Sequence, residues 1–294
     1  MTVKKISFLF LLLFLSRDTI AQNKDAVAAS TDSLQVLIKK IQRGENDSIR
    51  IAANKIFKVK LAEILQQSRS EETDSIQNVS SLTAPDKSFS IYTWVLPSFA
   101  GSYTYFGFIR VFDKKTNANK LIELVDSSYV IDKPETAKLA PERWFGAVYY
   151  KILLNKKGGK QYYTLLGWKG KNPVSTQKVI DVLYFPSGKP VFGFPLFKTD
   201  NVYRNRLIFE FISQATMSLR YEEGKKLIVF DHLSSSGKGQ DAGIIGGPDG
   251  SYDALKFKSG KWMLLKDIDI RSDWQPKKQP KEPQMHEVPV RIIK

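Results

Sequence analysis

Residues Lys178–Phe185 constrain the fold more than any other stretch. One alternate set is Ile180, Val182 and Tyr184. The other is Val179, Leu183 and Phe185, with Asp181 among them. Strand side chains alternate between faces, so a strand apolar on both sides must be covered on both sides. This strand therefore belongs deep in the fold. A buried carboxylate without partners is costly, so Asp181 needs an Arg, a Lys or backbone N–H groups, or it lines a cavity.

The neighbouring stretches have the same character. Gln161–Trp168 and Pro190–Phe197 are aromatic and aliphatic. Gly167, Gly170, Asn172 and Pro173 mark one break; Pro186, Ser187 and Gly188 mark the next. From Ser88 onward the alternating period continues through Ser88–Val95, Tyr103–Phe112, Lys120–Val125 and Ala147–Leu154. After the three central strands come Arg206–Ile212, Thr216–Tyr221, Lys226–Leu233, Ser251–Lys258 and Lys261–Ile268. About twelve strands with short connections make an antiparallel meander. It closes as a propeller-like array, a barrel or a sandwich, because open edges invite aggregation. A turn pattern recurs at Pro85-Asp86-Lys87-Ser88-Phe89, Asp126-Ser127-Ser128-Tyr129 and Pro248-Asp249-Gly250-Ser251-Tyr252.

Helical spacing is confined to the region before Ser88. Leu34, Leu37, Ile38 and Ile41 share one face, between a cap at Asp32 and a stop at Gly44. Behind Asn46-Asp47, the residues Ile49, Ala53, Ile56, Phe57, Leu61, Ile64 and Leu65 form a second apolar stripe. A helical hairpin that closes one end of the β domain follows. The same segment, Asp32–Gln67, is the place to look for a docking element. Residues 22–87 thus hold the hairpin and a polar linker, 88–270 the β domain, and 271–294 a Pro- and Lys-rich tail expected to be disordered.

The N-terminus reads as a secretory leader. Lys4 and Lys5 precede the ten-residue apolar run Ile6–Leu15, and Thr19-Ile20-Ala21 suits cleavage after Ala21. The run is too short for a spanning helix. The chain has no cysteine, which excludes a disulfide framework and a lipidated cysteine. Removing residues 1–21 lowers the net charge from +15 to +13. Outside the cytoplasm such a basic chain meets anionic envelope polymers rather than nucleic acid.

Residues suited to catalysis are few. The histidines are His232 and His286, and no Gly-x-Ser-x-Gly elbow occurs. Asp231 and His232 are adjacent on a strand and so point to opposite faces. Gly237-Lys238-Gly239-Gln240-Asp241-Ala242 matches a dinucleotide fingerprint, but the glycines after it forbid the required helix. Leu233–Gly250 reads instead as a long rim loop. Asp249–Asp253 lacks the closing acid of a calcium loop, so neither metal nor cofactor is expected. Trp168 and Lys169 end a strand in a basic glycine turn, suited to stacking on a sugar or meeting a polyanion. The binding residues to test are therefore Trp168, Lys169, Asp181, Asp231 and His232.

Tyr162–Trp168 with Lys178–Phe185, Phe192-Gly193-Phe194, Ile228–Leu233 and Pro248–Trp262 together resemble a group of uncharacterised exported proteins of Bacteroidetes-type bacteria. The resemblance implies export to a Gram-negative envelope, periplasmic or secreted. It carries no activity, cofactor or site residue. The expected function is a non-enzymatic envelope protein that binds or scaffolds, against an anionic polymer or an envelope protein. The alternative is a hydrolase or glycan-acting enzyme using Asp181, Asp231 and His232.

Overall fold

The structure is a computed structural model that describes residues 32–67, 76–113, 118–199, 201–234 and 246–269. The leader and the C-terminal tail expected from sequence lie outside the described residues. These residues form a helical hairpin, α1 (32–43) and α2 (Asp47–Gln67), followed by fifteen strands in three mainly antiparallel sheets. No closed barrel forms among them.

The first sheet runs in the order β1 (Ser80–Thr83), β2 (Phe89–Pro97), β3 (Tyr103–Asp113), β4 (Ala118–Val125). The middle sheet holds β5 (Val148–Lys157), β6 (Lys160–Gly170) and β7 (Ser175–Tyr184). Its far edge carries β11 (Leu207–Ile212), with β8 (Val191–Phe192) also on β7. The third sheet takes the order β10 (Val202–Arg204), β9 (Phe197–Thr199), β15 (Lys261–Leu265), β14 (Pro248–Lys258), β13 (Leu227–Leu233), β12 (Leu219–Glu222). Among the described strands, only β9 and β15 pair in parallel.

The sheets share cores face to face. Tyr92, Trp94 and Phe108 of the first sheet pack on Phe57, Leu61 and Leu65 of α2. Its other face, with Phe89, Ile91, Tyr105 and Ile109, meets Tyr163, Leu165, Val179 and Leu183 of the middle sheet. The reverse side of the middle sheet, with Tyr162, Leu166, Ile180 and Val182, meets Ile228, Phe230, Leu255 and Trp262 of the third. The strand apolar on both faces thus lies inside the stack. Val179, Ile180, Val182 and Leu183 are fully buried.

Each interface holds a fully buried tryptophan whose ring N–H is satisfied. Trp94 donates to Asn54 Oδ1 of α2 at 2.8 Å. Trp144 donates to Tyr149 Oη at 3.0 Å. Trp262 donates to Thr164 Oγ1 at 2.9 Å, and Thr164 donates onward to Asn155 Oδ1 at 2.7 Å. Burying an indole leaves its N–H in need of an acceptor, so each of these pairs sets a position as well as filling space.

Asp181 takes the first of its two expected options. Its Oδ2 accepts from Arg206 Nε at 2.8 Å and Tyr149 Oη at 3.2 Å, and Oδ1 accepts from Val182 N at 2.8 Å. Both charged side chains are fully buried. Arg206 also donates to Pro134 O, which ties the 134–139 segment to the middle sheet. Burial, then the Asp181 carboxylate, push the Tyr149 phenol well above its ordinary range.

Four expectations need correction. Pro190–Phe197 is not one strand. Gly193 has φ +90° and any side chain there would strike Ala137 O, so the chain turns and passes from β8 on the middle sheet to β9 on the third. Strand β1 falls in the stretch expected to be linker, because Ser80–Thr83 finds an edge on β2. Strand β10 was also unforeseen; three residues are too few to show a period. On α2 the buried side is Ala53, Asn54, Phe57, Leu61 and Leu65, which leaves Ile49 and Ile56 exposed at 40% and 50%.

The three recurring turns share a physical basis. In each, the aspartate Oδ1 accepts from both the backbone N and the hydroxyl of the serine two residues on: Asp86 with Ser88, Asp126 with Ser128, Asp249 with Ser251. The echo is one of turn chemistry.

Arg206→Met leaves Asp181 buried beside an apolar chain and should cost about 3–5 kcal/mol. Arg206→Met combined with Asp181→Leu should recover much of that loss. Urea unfolding of the two variants against the wild type measures both effects.

Candidate functional site

The alternation of β6 separates Trp168 from Lys169. Lys169 points toward the first sheet and is buried. Its Nζ donates to Ser128 Oγ and Gly146 O, each at 2.7 Å, and lies 4.3 and 4.7 Å from the ring centres of Tyr105 and Phe145. Asp126 holds this corner, accepting from Tyr105 N at 3.1 Å and Gly146 N at 3.2 Å. Burial lowers the Lys169 pKa to about 8, with Asp126 opposing the shift and Arg206 adding to it. The amine ties the middle sheet to the connection between β4 and β5, and Lys169 is not among the residues of the groove described below.

Trp168 faces the other way. It stands in register with Val148 on β5 and Lys178 on β7, and Lys178 is in register with Phe209 on β11. Gly170, Thr176 and Phe211 form the next row. Residues directly opposite in antiparallel strands share a face, so Trp168, Lys178 and Thr176 lie side by side. Tyr103 of β3 closes over them, edge-on to Trp168 with centres 5.5 Å apart. Gly170 makes this possible: a Cβ there would lie 2.6 Å from the Tyr103 ring and 2.9 Å from Trp168.

These residues line a groove of about 380 Å³. Volumes of this order hold small ligands or one unit of a polymer. Tyr103 and Trp168 supply an aromatic wall, and Phe211 and Met217 an apolar floor. Asn172, Thr176, Ser213 and Thr216 bring polar groups. Lys178 is the one cation of the lining, which holds no carboxylate among the described residues. The Lys178 Nζ lies 5.1 Å from the Tyr150 ring centre, and no ion pair engages it among the described residues. Burial lowers its pKa. A β-bulge between Tyr149 and Lys151 aims Tyr150 at this side, where its Oη donates to Leu219 O at 2.8 Å.

The ends of the long loop meet at the rim. Ser234 N and Oγ donate to Gly247 O, each at 3.1 Å, and Ile212 N donates to Gly246 O at 3.1 Å. Gly247 packs toward Ala215, which lines the groove. The Gly237–Ala242 motif lies outside the described residues.

The other expected site residues do not converge here. Asp181 is sealed between the first and middle sheets. Asp231 and His232 sit on β13 of the third sheet and have separate partners. Asp231 Oδ2 accepts from Ser218 N at 2.8 Å, and His232 Nδ1 pairs with Asp253 Oδ2 at 2.9 Å. Asp253 Oδ1 also accepts from Asp267 N at 2.9 Å, which ties the chain after β15 back to β14. No group of three or more potential metal-binding side chains gathers among the described residues.

Lys178, Tyr103 and Thr176 were not expected. Lys178 begins a strand read as core. The Gly170–Pro173 turn could have found it, because a hairpin through that turn puts Lys178 beside Trp168. Tyr103 arrives from another sheet, which no local pattern reveals.

Among the described residues, the fold and site define a layered β protein with a helical cover and an aromatic, singly basic groove. No family model, curated protein or solved structure matches the chain.

His232 gains its partner on folding. The Asp253 bond, foremost, raises its pKa above the ordinary value of 6.5. The stabilisation is therefore full below that value and is lost as pH rises through the folded pKa. Melting temperatures of wild type and His232→Gln should differ most at pH 5.5–6, on the order of one unit below the ordinary histidine value, and converge toward pH 8. A constant difference would refute the assignment.

Proposed function

We propose that this chain is an exported, non-enzymatic protein of the bacterial envelope that binds an anionic polymer in the Trp168–Lys178 groove. The observation that carries this is the pairing of a partly buried aromatic wall with a single lysine and a lining free of carboxylates. An aromatic face stacks on the apolar side of a sugar ring, the polar rim bonds its hydroxyls, and Lys178 meets a carboxylate or phosphate substituent. The leader-like N-terminus, the basic composition and the resemblance to exported proteins support the envelope location. Trp168 keeps the role expected of it, while Lys178 replaces Lys169 as the cation. Asp181, Asp231 and His232 act as structural partners in this scheme, since each is spent on a separate contact.

Titration calorimetry with polygalacturonate, and with neutral dextran as control, tests it. Binding should be confined to the acidic polymer and weaken with salt. Trp168→Ala and Lys178→Ala should each reduce affinity about tenfold, the effect of losing roughly 1.4 kcal/mol. Lys169→Met should leave affinity unchanged in whatever fraction folds. Equal binding by wild type and Trp168→Ala would refute the groove.

A further inference from the structure

We propose that the outer face of the helical hairpin docks on an anionic lipid surface. On α2 the core side takes Ala53, Phe57, Leu61 and Leu65. The opposite side nevertheless carries Ile49, Ile51, Ile56 and Val59, exposed at 40%, 57%, 50% and 53%, with exposed Ala52 between them. At 100° per residue these positions span an arc of about 160°. A solvent-facing helix side is ordinarily polar, so four branched aliphatic side chains there are unpaid surface.

The charges around this arc fit a negative surface. Lys55 lies inside it and Lys60 on its edge, and both are exposed. The outward side of α1, opposite Leu34, Ile38 and Ile41, presents exposed Val36 with Lys39, Lys40 and Arg43. The exposed acids of the hairpin, Asp32, Glu45 and Glu63, lie at its ends or beyond Val59. Apolar side chains with lysines among and beside them suit the headgroup boundary, where lysine stems reach out to lipid phosphates. Among the described residues the hairpin covers the outer face of the first sheet, and this side of α2 packs on no other element.

A second copy of the chain fits less well. Two-fold pairing along this face brings Lys55 and Lys60 against lysines of the other copy. The arc is also broader than a coiled-coil seam, and Glu63 ends it after about three turns, short of the heptads that a helix partner needs.

The test is co-sedimentation of the exported protein, after leader removal, with phosphatidylglycerol-containing vesicles and with pure phosphatidylcholine vesicles. Binding to the anionic vesicles alone is expected. Lys55→Ala with Lys60→Ala should weaken it about thirtyfold. Ile56→Asp with Val59→Asp should abolish it while the chain keeps a cooperative melting transition, because both residues lie outside the core that α2 shares with the first sheet. Trp168→Ala and Lys178→Ala should have no effect, which separates this surface from the groove. Three outcomes would overturn the proposal: no sedimentation with anionic vesicles, sedimentation unaffected by the aspartates, or a dimer in solution that the aspartates dissociate.

Discussion

The Arg206–Asp181 ion pair sits where the structure can least accommodate an error. Both side chains are fully buried, and the pair joins β7 to the segment entering β11. Its worth lies less in net stability than in specificity, because a buried pair roughly offsets its own desolvation while a broken pair does not. Any register of β11 on β7 that separates the two leaves a naked charge in the core. Tyr149 and Trp144 extend the network to the loop between the first two sheets. One carboxylate thereby fixes the positions of β5, β7, β11 and that loop.

The other layers are tied by the same logic with neutral groups. Indole N–H groups from Trp94 and Trp262 reach Asn54 and Thr164 across the outer interfaces. Sheets that meet through aliphatic contacts alone can slide with little penalty. A single satisfied donor in each interface adds directionality to an otherwise non-directional packing force. Lys169 supplies a further tie between the first and middle sheets, held by Ser128, Gly146 and two aromatic faces.

The middle sheet thus presents two chemically different faces at one end. Toward the first sheet, Lys169 is consumed in structure. Toward the third, Trp168 and Lys178 stand beside a groove that neither neighbouring sheet fills. The break in β8–β9 contributes to this arrangement, since turning at Gly193 carries the chain to the third sheet rather than extending along the edge of the middle one. The root of the loop between β13 and β14 reaches Ile212 and Ala215 through Gly246 and Gly247, beside a groove lined by the first and middle sheets and the segment after β11.

Local patterns in the chain determined the mainly β class, the helical hairpin, the burial of Val179–Leu183 and the need of Asp181 for a partner. These follow from side-chain periodicity and from the cost of burying charge, which act over a few residues and are written in order along the chain. The tertiary structure decided that three open sheets stack, that Arg206 is the partner, that Ile49 and Ile56 face outward, and that Lys178 rather than Lys169 stands beside Trp168. Each of these depends on which strands become neighbours and in what register. A one-residue change of register reverses every side chain, and contacts between residues a hundred positions apart, such as Trp262 with Thr164, leave no periodic trace in the sequence. The groove was legible only through Trp168, because its walls come from segments that the fold alone brings together.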